Sequence, residues 1–351
     1  MDNNTLLFNE LPRPTFRWLG MNHTEDSIQE GMEAAKITVY ADEGVVSPLK
    51  TNDLMKADYE GANKTALEEV AKHYTAGFHI LVPEGQTEKV EIVFDVQTMS
   101  LGDKTRVFIE AEKGASLELL YVLKGTANKG HLNLLTEVNA QDNAKVSIKK
   151  VQLLGESIQQ IEHRYTKLAD KSQVTYMSLE LGGNDNILNY QEDLDGADCN
   201  FVQDIAYMGD KEQKFDISAL MTHRGKRSNC NLHALGALNG HSKKTFRGTI
   251  DFLRGCSAAE GAEEDTCMLL TPNVHSNSLP LLLCKEDNVV GNHAASAGQL
   301  DKSKLFYLMS RGFSENEAKH IIVESMLRPL IDRIGKEDLE EEALAAVRAK
   351  I

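Results

Sequence analysis

GADCNFVQDIAYMG (196–209), DKEQKFDISALMTHRG (210–225), KRSNCNLHALGALNG (226–240) and HSKKTFRGTIDFLRG (241–255) follow one another without interruption. Each closes on a glycine, so Gly196, Gly209, Gly225, Gly240 and Gly255 are separated by 13, 16, 15 and 15 residues. Most of these glycines are followed by small or polar residues and then by another strand-like run. Further towards the N-terminus the small turn residues stand wider apart, with Ala115, Ala144 and Ser172 at intervals of 29 and 28. One short repeat therefore reads as half a coil of a larger turn. A strand-turn unit of this size cannot bury its apolar side alone and must stack on its neighbours to make a core. The spacing predicts a β-solenoid of the β-helix type, with a β-sandwich as the alternative.

Working outward, 89–96, 106–111, 116–123 and 145–151 alternate with period two, as half-buried strands do. This texture runs from about 76 to 298. Residues 1–75 predict an N-terminal helical and irregular segment, with amphipathic helices over 25–36 and 57–73. In 299–351 helical periodicity returns, over 301–310 and then from a capping box at Ser314 and Glu317 to about Ile334, with Gly335 as terminator and a last helix over 338–350. Ala318, Ile321, Ile322, Ser325, Met326 and Leu330 form the stripe expected to dock on the solenoid or on a partner.

The 351 residues carry 38 Lys and Arg against 53 Asp and Glu, a net charge of -15, which argues against nucleic acid or anionic lipid as partner. The absence of a long apolar run predicts no membrane span, and the N-terminus has no signal-like pattern, so the expected location is the cytoplasm. Cys199, Cys230, Cys256, Cys267 and Cys284 are odd in number and contain no CxxC pair, which predicts thiols rather than a disulfide framework. Cys199, Cys230 and Cys256 fall near turn positions of successive repeats, where packing is the expected role and a thiolate cluster lacks a fourth donor. Between 222 and 254, Arg224, Lys226, Arg227, Lys243, Lys244, Arg247 and Arg254 face a single acid, Asp251. Solvated rung edges or a docking surface for an acidic protein both fit that inversion of charge. No Walker A loop, GxGxxG, HExxH or complete nucleophile elbow occurs. A β-helix carbohydrate-active enzyme remains a rival on fold analogy alone.

THRG (222–225), GHSKKTFRG (240–248), MLL (268–270), Pro280, NHAASAG (292–298) and LFYLMSRG (305–312), in that order, resemble the SufB/SufD family of iron-sulfur cluster assembly proteins, and LPRPTFRWL (11–19) is similar to the family's opening. The resemblance implies a right-handed parallel β-helix with helical terminal segments. It further implies a non-enzymatic scaffold or adapter that docks a SufC-type ATPase through the C-terminal segment and pairs with a SufB-type subunit or with itself. On this carry-over the ATPase contact is Leu305 to Leu330, including Leu305, Phe306, Tyr307, Arg311, Ile321, Ile322 and Met326.

The resemblance also implies His293 as an iron ligand of a transient iron-sulfur cluster at the subunit interface. Only the histidine stands where SufB scaffolds carry glutamates around it, and Asp265 takes the place of the SufB assembly cysteine, with Cys267 two residues on. The other SufB cysteine falls near Lys167. These departures imply a SufD-like partner, with a SufB-type scaffold using Cys284, His293, Cys267 or Asp265 as the rival. Cys284, nine residues before His293, is a second possible metal donor if the chain folds back between them; a small buried hydrophobe beside Leu281 to Leu283 is the other reading.

Overall fold

The computed structural model describes residues 5–351. Parallel strands wind into eight coils, each contributing to two facing sheets. The first sheet stacks Thr87–Thr98, Ser116–Ala127, Lys145–Leu154, Gln173–Glu180, Asn200–Gly209, Asn229–Leu238, Ala259–Leu269 and Val289–Gln299. The second stacks Ala76–Val82, Leu101–Ala111, Gly130–Ala140, Gln159–Leu168, Asp185–Leu194, Lys214–His223 and Lys243–Phe252, then His275–Ser278 and Leu281–Cys284 side by side. This is the parallel β-helix that the half-coil spacing predicts. Alternate residues face the space between the sheets, where one continuous apolar core runs from Ile80 to Val274.

One corner of the coil recurs almost without variation. Gly114, Asn143, Lys171, Asp198, Arg227 and Ala258 have φ between 55° and 69°. Each is followed by a fully buried small residue, Ala115, Ala144, Ser172, Cys199, Ser228 or Ala259. Backbone hydrogen bonds join successive members of this small ladder to the strand one coil above, as from Asn229 N–H to the Cys199 carbonyl at 2.9 Å. Gly196 and Gly225 are needed for another reason: a Cβ on Gly225 would lie 1.8 Å from the Gly196 carbonyl oxygen. The turns therefore stack backbone on backbone, and the sequence spacing follows from that contact.

The core is not apolar throughout. In the third and fourth coils Lys150 contacts Glu162 and, at 2.7 Å, Glu180, all buried between the sheets. Arg164 lies flat between the rings of Tyr176 and Tyr190, 3.5 and 3.7 Å from their centres, and donates to Glu192 and Gln203. Burial raises the Glu192 carboxyl to about 7, with Arg164 pulling the other way. Above this polar layer Ile205, Leu232, Ile217, Phe246 and Ile250 restore an apolar one.

The N-terminal segment differs from expectation. Thr24–Asp26 pairs antiparallel with Leu6–Phe8, and 27–35 runs as an extended strap across the second sheet instead of forming a helix over 25–36. Its backbone groups are taken by side chains and carbonyls of the sheet: Gln29 N–H donates to Gln159 Oε1 at 3.0 Å, and Met32 and Glu33 N–H to the Ser100 carbonyl. Tertiary bonds thus replace the helical ladder. Lys36–Tyr40 then closes the first sheet antiparallel to Thr87–Thr98, and Val46–Pro48 closes the second against Ala76–Val82.

The helix expected over 57–73 is shorter, α1 (Lys64–Lys72), because Gly61 turns with φ 60° against the His163 ring and Asn63 caps the N-terminus, accepting from Thr65 and Ala66 N–H. Ala66, Leu67, Val70 and Ala71 are its buried face. With Tyr59 they cover Leu135, Ile161, Tyr165 and Ile187 on the outer face of the second sheet.

At the other end α2 (Lys302–Ser310), α3 (Glu315–Ile331) and α4 (Glu337–Arg348) follow the last strand. The capping box of Ser314 and Glu317 is formed. The buried stripe of α3 is Ala318, Ile322, Val323, Leu327 and Ile331. With Leu339, Ala343, Leu344 and Val347 of α4 it covers Val122, Val151, Met177, Leu179, Ala206, Met208 and Ala237 on the outer face of the first sheet. The expected stripe is thereby corrected by about one position: Ile321 and Ser325 are exposed, whereas Val323 and Leu327 do the packing. No helix among the described residues is long and apolar enough to cross a membrane.

Candidate functional site

The eighth coil leaves the β-helix open. Val289–Gln299 pairs with Ala259–Leu269 on one side only, and every residue from Val290 to Gln299 is exposed. Its register sets Gly291 beside Gly261, His293 beside Glu263, Ala295 beside Asp265 and Ala297 beside Cys267. Partners in a parallel ladder share a face. Glu263, Asp265 and Cys267 are buried while Glu260 and Glu264, of the opposite parity, are exposed, so His293 lies on the row that faces the interior at its mouth.

A buried polar group lines that mouth. Lys244 of the second sheet reaches Asp265 across the interior as a closed ion pair. Glu263 stands next to it with its carboxyl raised to about 8, chiefly by burial and then by the charge of Asp265. Gly248 makes the room for Glu263, since a Cβ there would lie 2.2 Å from the carboxyl carbon. Gly236 does the same for Tyr207, whose ring passes through the space a Cβ would take, 2.4 Å away. Burial raises the pKa of the Tyr207 hydroxyl strongly, with the charges of Cys267 and Asp265 adding to the effect. Glu263 Oε2, Asp265 Oδ1 and the Tyr207 hydroxyl have no hydrogen-bond partner among the described residues.

Cys284 ends the last strand of the second sheet, beside Phe252, and its thiol donates to the Glu286 carbonyl at 3.0 Å. It is exposed and not packed among Leu281 to Leu283. Cys284 and His293 thus belong to one terminal coil but to different sheets. Cys199, Cys230, Cys256 and Cys267 are buried thiols. Cys230 lies 3.1 Å from His223 Nε2, and His223 Nδ1 lies 2.7 Å from Ser228 Oγ. Burial holds that imidazole down at about 4 and the thiol above its usual range, so the pair is neutral. No group of three or more His, Cys, Asp and Glu side chains converges to hold a metal ion among the described residues.

Of the seven residues expected to meet an ATPase, Phe306, Tyr307, Arg311 and Ile321 are exposed, and the Arg311 guanidinium stacks 5.2 Å from the Tyr307 ring centre. Leu305 is half-buried, Met326 packs against the α3/α4 cluster, and Ile322 is buried. The helix α2 has no buried residue, and Met309 and Phe313 extend its apolar surface.

Four of the seven cations between 222 and 254 form ion pairs within the molecule. Arg247 binds Asp216 at 2.7 Å and Lys244 binds Asp265, both pairs buried, while Arg224 meets Asp193 and Asp195, and Arg227 meets Asp198, each 29 to 31 residues earlier on the preceding coil. Lys226, Lys243 and Arg254 are exposed and have no ion pair among the described residues. Glu263 and Lys244 were not singled out from the sequence as site residues. Counting every second residue from the buried turn residue Ala259 through GAEEDTC (261–267) places Glu263, Asp265 and Cys267 inward, and that parity is the signal that finds them.

Comparison with known proteins agrees with this architecture. Residues 94–326 match the family described as SUF system FeS cluster assembly, SufBD core domain. The iron-sulfur cluster assembly protein SufD of Bacillus subtilis is 25% identical over 248 residues, 70% of this chain and 57% of that protein. A SufBD family protein of Staphylococcus saprophyticus is 24% identical over 275 residues, covering 75% of this chain and 58% of the relative, and one of Mycobacterium leprae is 19% identical over 264 residues, 74% and 30%. The chain spans less than two thirds of the length of these relatives. With the matched core extending over most of the β-helix and into α3, the chain belongs to the SufBD family of iron-sulfur cluster assembly proteins.

Proposed function

We infer that this chain is a SufD-like, non-catalytic subunit of a cytoplasmic SUF assembly complex, pairing through its open coil with a SufB-type subunit or a second copy. The observation that carries this reading is the uncovered strand Val289–Gln299, whose unpaired backbone edge and small side chains from Ala294 to Gly298 accept another strand at close range. His293 sits on that edge and supplies one imidazole donor to an iron-sulfur cluster held as cargo. Among the described residues too few donors converge to close a site, so on this reading the remaining ligands come from the partner. Phe306, Tyr307, Arg311 and Ile321, on and beside the uncovered helix α2, are the surface offered to a SufC-type ATPase. Whatever rearrangement the ATPase drives reaches the β-helix through α3, which is packed on the first sheet.

The test is anaerobic reconstitution with iron and sulfide, read by visible absorption and iron content, for the chain alone and with a SufB-type partner. The expected result is no stable cluster on the isolated chain and a cluster on the complex that falls at least fivefold in His293→Ala. A stable cluster on the isolated chain, indifferent to His293→Ala, sinks the proposal and favours a self-sufficient scaffold.

A further inference from the structure

The strap over 24–35 crosses the second sheet along one outward row, passing from Lys214 to Asp185, Gln159 and His131, which are neighbours in register. At its upper end Asn9 and Thr24 close over the buried Arg247–Asp216 pair: Asn9 Nδ2 donates to the Leu188 carbonyl at 3.2 Å and to Asp216, and Thr24 Oγ1 donates to Asp216. One rung lower, Asp26 of the strap and Asp185 of the sheet meet at a single ammonium, with Lys214 Nζ at 3.7 Å from the first carboxylate and 3.6 Å from the second. Asp185 is almost fully buried, and Asp26 Oδ2 is buried with no hydrogen-bond partner among the described residues, Lys214 Nζ being the cation that approaches it. Further down, Gln159 Nε2 donates to the Ser27 carbonyl at 2.9 Å, and His131 Nδ1 donates to the Gln29 carbonyl at 2.6 Å.

Around the Asp26–Asp185 contact stand His23 and Glu25 on the strap, 3.7 Å apart, and Lys214, Asp216 and Arg247 on the sheet. Arg247 is committed to Asp216, which leaves two carboxyls facing one half-exposed ammonium. We propose that residues 24–35 are a proton-dependent latch: the strap lies closed while Asp185 holds a proton against the Asp26 carboxylate, and it lifts from the second sheet when Asp185 ionises.

The sign of the effect follows from the two buried groups beneath the strap. Burial, then the hydrogen bond to Asp26 and its charge, raise Asp185 to about 8, so between roughly 4 and 8 the closed state holds one proton that the open state has lost. Opening then rises about tenfold per pH unit. His131 acts the opposite way, because burial lowers its imidazole and the closed state excludes a proton that the open state takes below about 6.5. The two slopes cancel in acid. From about pH 6.5 to 8 the Asp185 slope stands alone and flattens as the group reaches half-ionisation, so strap opening increases about 15-fold.

Hydrogen-deuterium exchange of the full chain, corrected for intrinsic exchange, tests the proposal on peptides covering 24–35, with peptides from Asp185–Leu194 as a fold control. The expected result is a loss of strap protection of about 15-fold from pH 6.5 to 8 in the wild type, control peptides that stay far better protected than the strap at both pH values, and a flat strap profile in Asp185→Asn, which still donates to Asp26 but does not ionise. Asp185→Ser, another donor that does not ionise, carries the same test if the asparagine variant does not fold. A wild-type strap with constant protection, or a variant that keeps the wild-type slope, overturns it.

Discussion

Five of the six left-handed corner residues carry a side chain, and they differ in how well they tolerate that geometry. Asn143 and Asp198 belong to types that enter the left-handed region readily, whereas Lys171, Arg227 and Ala258 sit there at about 1 kcal/mol each. Lys171→Gly is expected to raise stability, by less than about 1 kcal/mol once the added freedom of the unfolded chain is counted, as a small upward shift of the urea midpoint. Gly225→Ala runs the other way. Its Cβ meets a backbone oxygen that no rotamer can move, so a loss of at least about 2 kcal/mol is expected in the same titration. The sequence shows the glycine spacing but hides the left-handed positions, because Lys, Arg and Ala do not advertise a positive φ. It likewise hides Glu263, whose inward direction depends on parity counted from Ala259, a buried turn residue that looks like any other alanine.

Among the elements, the strands and C-terminal helices are legible from periodicity and caps, and the strap is not. A helix owes its pattern to itself, whereas 27–35 owes its conformation to Gln159, His131 and Ser100, residues 65 or more positions away. The same limit explains the shifted stripe of α3, since which hydrophobic face turns inward is set by the sheet beneath it. Leu327→Ala is expected to cost about 3 kcal/mol and to loosen α3 and α4 together, seen as early proteolysis after residue 312 with the β-helix core intact. Arg247→Ala leaves Asp216 buried without its cation beneath Asn9 and Thr24. A loss of about 3–5 kcal/mol is expected, accompanied by release of the segment 5–26 before the coils unfold.

For the whole molecule, the buried acids and the buried imidazoles pull stability in opposite directions. Asp185, Glu192 and Glu263 are raised by burial and favour the folded state as pH falls towards 4, while His131, His163 and His223 are lowered and oppose it below about 6.5. Urea midpoints are therefore expected to be nearly level between pH 4.5 and 6.5 and to decline from 6.5 to 8, by up to about 2 kcal/mol per unit. A midpoint that climbs from 6.5 to 8 contradicts this balance. The β-helix itself also has a direction. Short antiparallel strands, Lys36–Tyr40 and Val46–Pro48, seal the lower end of both sheets, and the upper end carries eleven residues of bare edge. Lys36–Tyr40 and Val46–Pro48 keep an outer edge of their own, but they are five and three residues long and run antiparallel to the coils, so a stacking copy finds far less register there than along Val289–Gln299. Two molecules brought together along Val289–Gln299 would cover each other's longest open strand and leave only the short strands of the far ends for a third to extend.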